Sequence, residues 1–166
     1  MGFAALVVAF CAAVTAHNLE EALFLPAWSK AAARFHAPVG AFEFRFAVAA
    51  LTLAAYACAA MAAAGSTLGV YLVCGYALAM AANAFVPHLA ATVALRRYAP
   101  GTATGVLLNL PIGVGLIAAA ASEGRIAWPT FVWAGPMTMV ALVAAIRPLL
   151  ALGRAWANRL RARQSC

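Results

Sequence analysis

The sequence predicts an all-α fold, a polytopic membrane bundle of about five transmembrane helices. Hydrophobic residues make up 67% of its 166 positions and charged residues 9%, and the mean hydropathy is +0.95. A water-soluble surface cannot be built from so few charges. Five apolar stretches also reach the roughly 20 residues that a helix needs to cross a bilayer core. Small residues scattered through these stretches suit helices that approach closely in lipid.

The stretches run over 2–25, 44–64, 68–95, 102–121 and 129–151. The first ends at Pro26, and the polar segment from Ser29 to His36, followed by Pro38, separates it from the second. Gly65 and Ser66 turn tightly into the third, which is longer than a span requires and is expected to tilt or to kink at Pro87. Arg96, Arg97, Pro100 and Gly101 divide the third from the fourth, and Glu123 to Pro129 the fourth from the fifth. Val14, Thr15 and Ala16 resemble a signal-cleavage site, but no positive region precedes the apolar run, so an uncleaved helix is expected. Residues 1–151 then form the bundle and 152–166 a basic cytoplasmic tail.

Charge sets the orientation. With five spans, Lys30, Arg34, Arg45, Arg96, Arg97, Arg147, Arg154, Arg159, Arg161 and Arg163 share one side, and only Arg125 lies on the other. The positive-inside rule places the N-terminus outside and the C-terminus in the cytoplasm. The formal charge of +7 reflects that placement, so the lipid bilayer and no nucleic acid is the expected partner. The arginines around Trp156 and Leu160 read as a solvated topogenic tail in preference to one lying on an anionic leaflet, because the apolar face is short. Cys11, Cys58, Cys74 and Cys166 show no CxxC pair, and the three within apolar runs are expected to be buried small hydrophobes.

An ionisable side chain within a spanning helix costs several kcal/mol unless it pairs, binds a ligand or faces water. The first helix carries His17-Asn18-Leu19-Glu20-Glu21, where spacings of three and four place a carboxylate beside the imidazole. Counting about 1.5 Å per residue from Pro26, Arg97 and Gly101 puts His17 and His88 about 13 Å deep, Asn109 about 12 Å, and Glu20 and Glu21 about 9 and 8 Å. Thr92 shares the level of the glutamates. Because Glu20 and Glu21 point about 100° apart, one is expected to bind a ligand and the other to pair with a neighbour. Arg45 and Tyr98 are the candidate partners, although Glu43 could equally take the arginine. Pro87 frees the carbonyl of Asn83, which offers a backbone acceptor one turn from His88.

Two histidines and a glutamate on neighbouring helices are ligand types preferred by zinc or non-haem iron. The metal candidates are therefore His17, Glu20, Glu21 and His88 around a single ion, since a di-iron centre would need more carboxylates. Glu20 or Glu21 is also the candidate general base, and Asn83 or Asn109 would orient substrate. A proton or ion pathway and a structural polar network are the competing readings of the same residues. His36 lies in a polar loop and reads as solvated, and Gly101-Thr-Ala-Thr-Gly105 fits close helix packing. Trp28, Trp128 and Trp133 suit interfacial belts. No GxSxG, Walker loop or dinucleotide fingerprint occurs, which sets aside serine hydrolase, nucleotidase and Rossmann chemistry.

The first-helix pattern resembles the HXXEE motif that names a family of uncharacterised bacterial integral membrane proteins. Asn83 with His88, then Arg97-Tyr98-Ala99-Pro100-Gly101 and Leu110-Pro111, are similar to further landmarks of that family, spanning residues 17 to 111. The resemblance implies several spans in a bacterial cytoplasmic membrane and supports the same site map, without a substrate or reaction. Paired glutamates also resemble CAAX-type intramembrane proteases, but Leu25 stands where those enzymes carry an arginine. The residues thus lead to a metal-dependent enzyme acting on an apolar or lipid-like substrate, zinc suggesting hydrolysis and iron oxidation. The alternatives are a small proton-coupled transporter, which would need to form a homodimer, and a membrane assembly protein.

Overall fold

The structure, a computed structural model, describes residues 1–33 and 38–164; Arg34, His36 and Cys166 lie outside the described residues. Five helices in it are long and apolar enough to cross a membrane. They are α1 (Phe3–Ala31), α2 (Ala41–Ala63), α3 (Thr67–Leu95), α4 (Thr102–Ser122) and α5 (Trp128–Gln164). No strand occurs among the described residues. The third helix is the most enclosed and packs against α2, α4 and α5, while α1 lies between α2 and α4. The core is filled by Phe10, Val14, Val73, Cys74 and Leu116, with alanines such as Ala55, Ala77 and Ala120 where the helices come closest. Cys11 and Cys74 are buried and Cys58 half-buried, all as free thiols.

The helix ends follow their local chemistry. At the end of α2, Gly65 takes a left-handed φ of +82°, and its N–H and that of Ser66 cap the carbonyls of Ala62 and Met61. The Ser66 hydroxyl then accepts the N–H of Gly69 to open α3. Glu43 reaches back to the N–H of Gly40 at the start of α2. Glu123, after α4, accepts the N–H of Phe3 at 2.7 Å and the Nε of Arg125 at 2.8 Å, which fastens the start of α1 to the α4–α5 turn.

Two boundaries differ from the sequence expectation. The first helix does not stop at Pro26 but continues to Ala31, so the depth count from Pro26 does not measure the distance from the helix end. Proline cannot donate to the carbonyl four residues back, that of Ala22, and Arg45 supplies the missing donor through its Nε at 3.0 Å. A donor from outside α1 thereby satisfies the carbonyl that Pro26 cannot. The fifth helix likewise passes residue 151 and continues to Gln164, where Trp156 packs on Phe46 and Arg154 lies 3.8 Å from Glu43. Those contacts give the basic segment a folded neighbour in α2.

Pro87 kinks α3 as its sequence implies. Residues Ala84–Leu89 widen into a π-helical segment, and Val86 leaves helical geometry altogether at φ −131°, ψ 116°. A second π-helical turn, Gly105–Asn109, lies opposite in α4. The two irregular segments pack together, and both border the polar cluster.

Candidate metal centre

Three elements build the cluster. The first helix presents His17, Glu20 and Glu21 over one turn, the kinked part of α3 presents Asn83 and His88, and the loop joining α3 to α4 folds back over them. That loop turns through Arg96 at φ 47° and Gly101 at φ 93°. The Thr92 hydroxyl braces it by bonding Thr102 and accepting the N–H of Ala99. Gly101 is thereby pressed against the imidazoles. A Cβ there would stand 2.6 Å from Cε1 of His88 and 2.9 Å from Cε1 of His17.

Glu20 is the carboxylate that pairs. It accepts the Tyr98 hydroxyl, the N–H of Gly101 at 2.9 Å and the Thr104 hydroxyl at 2.7 Å. Burial and the bond to Glu20 together hold the Tyr98 phenol above its usual pKa. Thr104 has one hydroxyl proton, and the carboxylate takes it. Its oxygen, 3.0 Å from Nδ1 of His17, must then accept, so His17 carries its proton on Nδ1. Nε2 of His17 is left with its lone pair, 3.2 Å from the Asn83 amide nitrogen. A carboxylate acting through a hydroxyl to set a histidine tautomer is the kind of outer support that metal-ligating imidazoles use.

Glu21 faces the other way. Its Oε1 lies 3.0 Å from Nε2 of His88 and 3.7 Å from Nε2 of His17. The two imidazoles meet edge-to-face at 5.0 Å between centroids, and one ligand atom from each of the three residues falls within 4.8 Å of the others. Ligand atoms about 2.1 Å from a tetrahedral ion stand about 3.4 Å apart, between the 3.0 and 3.7 Å that separate Glu21 Oε1 from the two histidines. His17 is 0% exposed, His88 3% and Glu21 14%.

With Glu21 ionised, hydrogen bonding alone leaves the cluster in conflict. The Asn83 amide nitrogen lies 3.2 Å from Nε2 of His17 and 3.0 Å from Nε2 of His88, a position from which it can donate to a lone pair on each. With a bare Nε2, His88 confronts the Glu21 carboxylate, acceptor against acceptor. With a protonated Nε2, it confronts the Asn83 amide, donor against donor. A cation among the three lone pairs would remove the first conflict, taking the lone pairs to which the Asn83 amide otherwise donates; a proton on Nε2 of His88 exchanges it for the second, and a proton on Glu21 makes that carboxyl a donor to the bare Nε2.

The structure brings His17, Glu20, Glu21, Asn83, His88 and Tyr98 together. It separates Arg45, which caps Ala22 and reaches neither glutamate, contrary to the pairing expected for it. The reason is Pro26, whose unsatisfied carbonyl partner competes for the guanidinium. Thr92 holds the loop and makes no bond to the histidines. Asn109 is fully buried, yet neither Nδ2 nor Oδ1 has a hydrogen-bond partner, so it stands outside the bonded network. Gly101 and Thr104 are the residues that sequence reasoning missed. They sit in the stretch read as a packing motif, and part of that reading holds, since a Cβ on Gly105 would meet Ala84 at 3.2 Å.

A family model described as "Protein of unknown function with HXXEE motif" matches residues 8–116, which include every residue of the cluster. The uncharacterized protein YrkK of Bacillus subtilis (strain 168) is 37% identical over 150 residues, covering 87% of this chain and 92% of that protein. No solved structure matches.

Proposed function

This chain belongs to the HXXEE-motif family of proteins of unknown function, and on that footing we propose that His17, Glu21 and His88 hold one divalent metal ion in a membrane-embedded enzyme acting on a lipid-like or apolar substrate. The observation that carries the reading is the convergence of His17 Nε2, His88 Nε2 and Glu21 Oε1. Glu20 is a positioning residue in this scheme: it orients His17 through Thr104 and anchors the α3–α4 loop. Bound there, zinc would supply a Lewis acid for hydrolysis and iron a redox centre for oxidation. With the two Nε2 lone pairs taken by an ion in this scheme, the Asn83 amide is left to donate to a group beside it. With the C-terminus in the cytoplasm, the site lies in the cytoplasmic half of the bilayer, nearer to lipid than to water.

Elemental analysis of detergent-purified protein tests this. Zinc or iron near one per chain is expected, and its loss from a folded His17→Ala, His88→Ala variant. Absence of metal from both would sink the metal reading. One observation favours a second function, proton-coupled transport: an unbroken polar chain runs from Glu20 through Thr104, His17, Asn83 and His88 to Glu21. Proton flux in vesicles that Glu20→Gln abolishes, in protein free of tightly bound metal, would establish that function instead. If the network serves assembly alone, His17→Ala lowers thermal stability and removes no bound species.

A further inference from the structure

A groove of about 640 Å³ opens between α1 and the α3–α4 loop, lined among others by Glu20, Phe24, Trp28, Arg97, Tyr98 and Ala103. Its volume falls within the range of small-molecule sites. Its walls are apolar and face outward, with Phe24 more than half exposed. Its floor is Glu20, whose carboxylate already accepts three donors and has no cation within ion-pair distance among the described residues. At the groove, Arg97 is exposed and, like Arg96 and Arg147, forms no ion pair among the described residues; its place on the groove lining sets it apart from them.

An apolar trough with an unneutralised guanidinium selects a ligand with an apolar tail and an anionic head. We propose that this groove binds a phospholipid of the surrounding leaflet with an anionic headgroup, the phosphate against Arg97 and an acyl chain along Phe24 and Trp28. Arginine suits that head because its planar fork pairs with phosphate oxygens and is weakly hydrated. A soluble phosphate would leave the aromatic wall unused. The inference rests on the preceding reading only in naming its substrate class. The groove also joins the metal cluster: Glu20 contacts Tyr98 on the groove side and, through Thr104, orients His17 on the other.

The test is photolabelling in phosphatidylcholine vesicles carrying a trace of phosphatidylglycerol or phosphatidylcholine with a diazirine acyl chain, the adducts mapped by mass spectrometry. One arginine near a membrane surface favours an anionic lipid about fivefold. Labelling of residues 20–28 and 97–103 by the phosphatidylglycerol probe is expected to exceed that by the phosphatidylcholine probe by that factor. The preference should vanish in Arg97→Gln and persist in Arg97→Lys. Ala103→Trp, which fills the groove, should abolish labelling there while leaving the exposed Val140 and Val143 of α5 labelled. Equal labelling by both probes, a preference that survives Arg97→Gln, or displacement by millimolar inorganic phosphate would overturn the proposal. Labelling does not read metal content, so its failure and the failure of the metal reading are separate results.

Discussion

Replacing Gly101 with alanine probes the point where the loop, both histidines and Glu20 meet. At φ +93° an added Cβ carries the left-handed penalty of about 1–2 kcal/mol. It would also stand 2.6 Å from His88 Cε1 and 2.9 Å from both His88 Nδ1 and His17 Cε1, an overpacking that costs about 1–3 kcal/mol in a close-packed interior. Together the expected loss is about 3 kcal/mol. Two other glycines separate the contributions. Gly65 has φ +82° with nothing within 4 Å of its Cβ position, so Gly65→Ala reports the backbone penalty alone. Gly115 has only Leu6 at 3.6 Å, ordinary contact, so Gly115→Ala should be near neutral. The assay is thermal unfolding in detergent, where about 3 kcal/mol corresponds to roughly 6–12 °C for a chain of this size. Gly115→Ala, Gly65→Ala and Gly101→Ala should fall in that order of increasing loss. If Gly101→Ala costs no more than Gly65→Ala, the imidazoles do not pack on the loop and the geometry of the cluster is wrong.

Thr104→Val removes the hydroxyl that passes the orientation of Glu20 to His17, so metal affinity should fall roughly 10- to 100-fold while Thr104→Ser retains it; equal affinity in all three, read by competition with a chromogenic chelator, would refute the tautomer argument. Asn109→Leu removes a buried amide without partners, and the unfolding midpoint should hold or rise. A loss above about 2 kcal/mol would show that the amide is satisfied after all. The Glu123 carboxyl is held below its usual pKa by the Arg125 guanidinium and the Phe3 N–H. Its stabilisation is therefore complete above the unfolded value of about 4.3 and is lost as pH falls through the lower folded value. The difference in midpoint between wild type and Glu123→Gln should be present at neutral pH and close in acid; a gap that widens on acidification would contradict this pairing.

Hydropathy made the five helices legible because lipid imposes a minimum length on each span. The kink at Pro87 was legible because proline acts on its own helix. Helix ends were less so: proline at position 26 reads as a stop, yet α1 continues to Ala31, and the carbonyl of Ala22 finds its donor in Arg45, nineteen residues after the proline. The choice between Glu20 and Glu21 depends on where the α3–α4 loop returns, and adjacent glutamates look alike along the chain. That loop returns through two left-handed residues, Arg96 and Gly101, which no periodicity reports. A signal was nonetheless present in Gly101 to Gly105. A glycine and a threonine at the start of a spanning helix, level with an intramembrane acid, offer an N–H and a hydroxyl to that acid, as Gly101 and Thr104 do to Glu20. Asn109 shares the burial of the histidines but none of their bonds, because bonding partners are a three-dimensional property that depth along a helix does not report.

The central claim assigns the two adjacent glutamates different work, and metal stoichiometry of Glu21→Gln beside Glu20→Gln tests it most directly. Both proteins would be purified in detergent, shown to be helical, loaded with zinc or ferrous iron and washed before elemental analysis. Glu21→Gln should retain little or no metal, whereas Glu20→Gln should still bind one ion per chain at reduced affinity. Equal retention by both, or loss confined to Glu20→Gln, would contradict the assignment of Glu21 as ligand and Glu20 as the residue that positions His17.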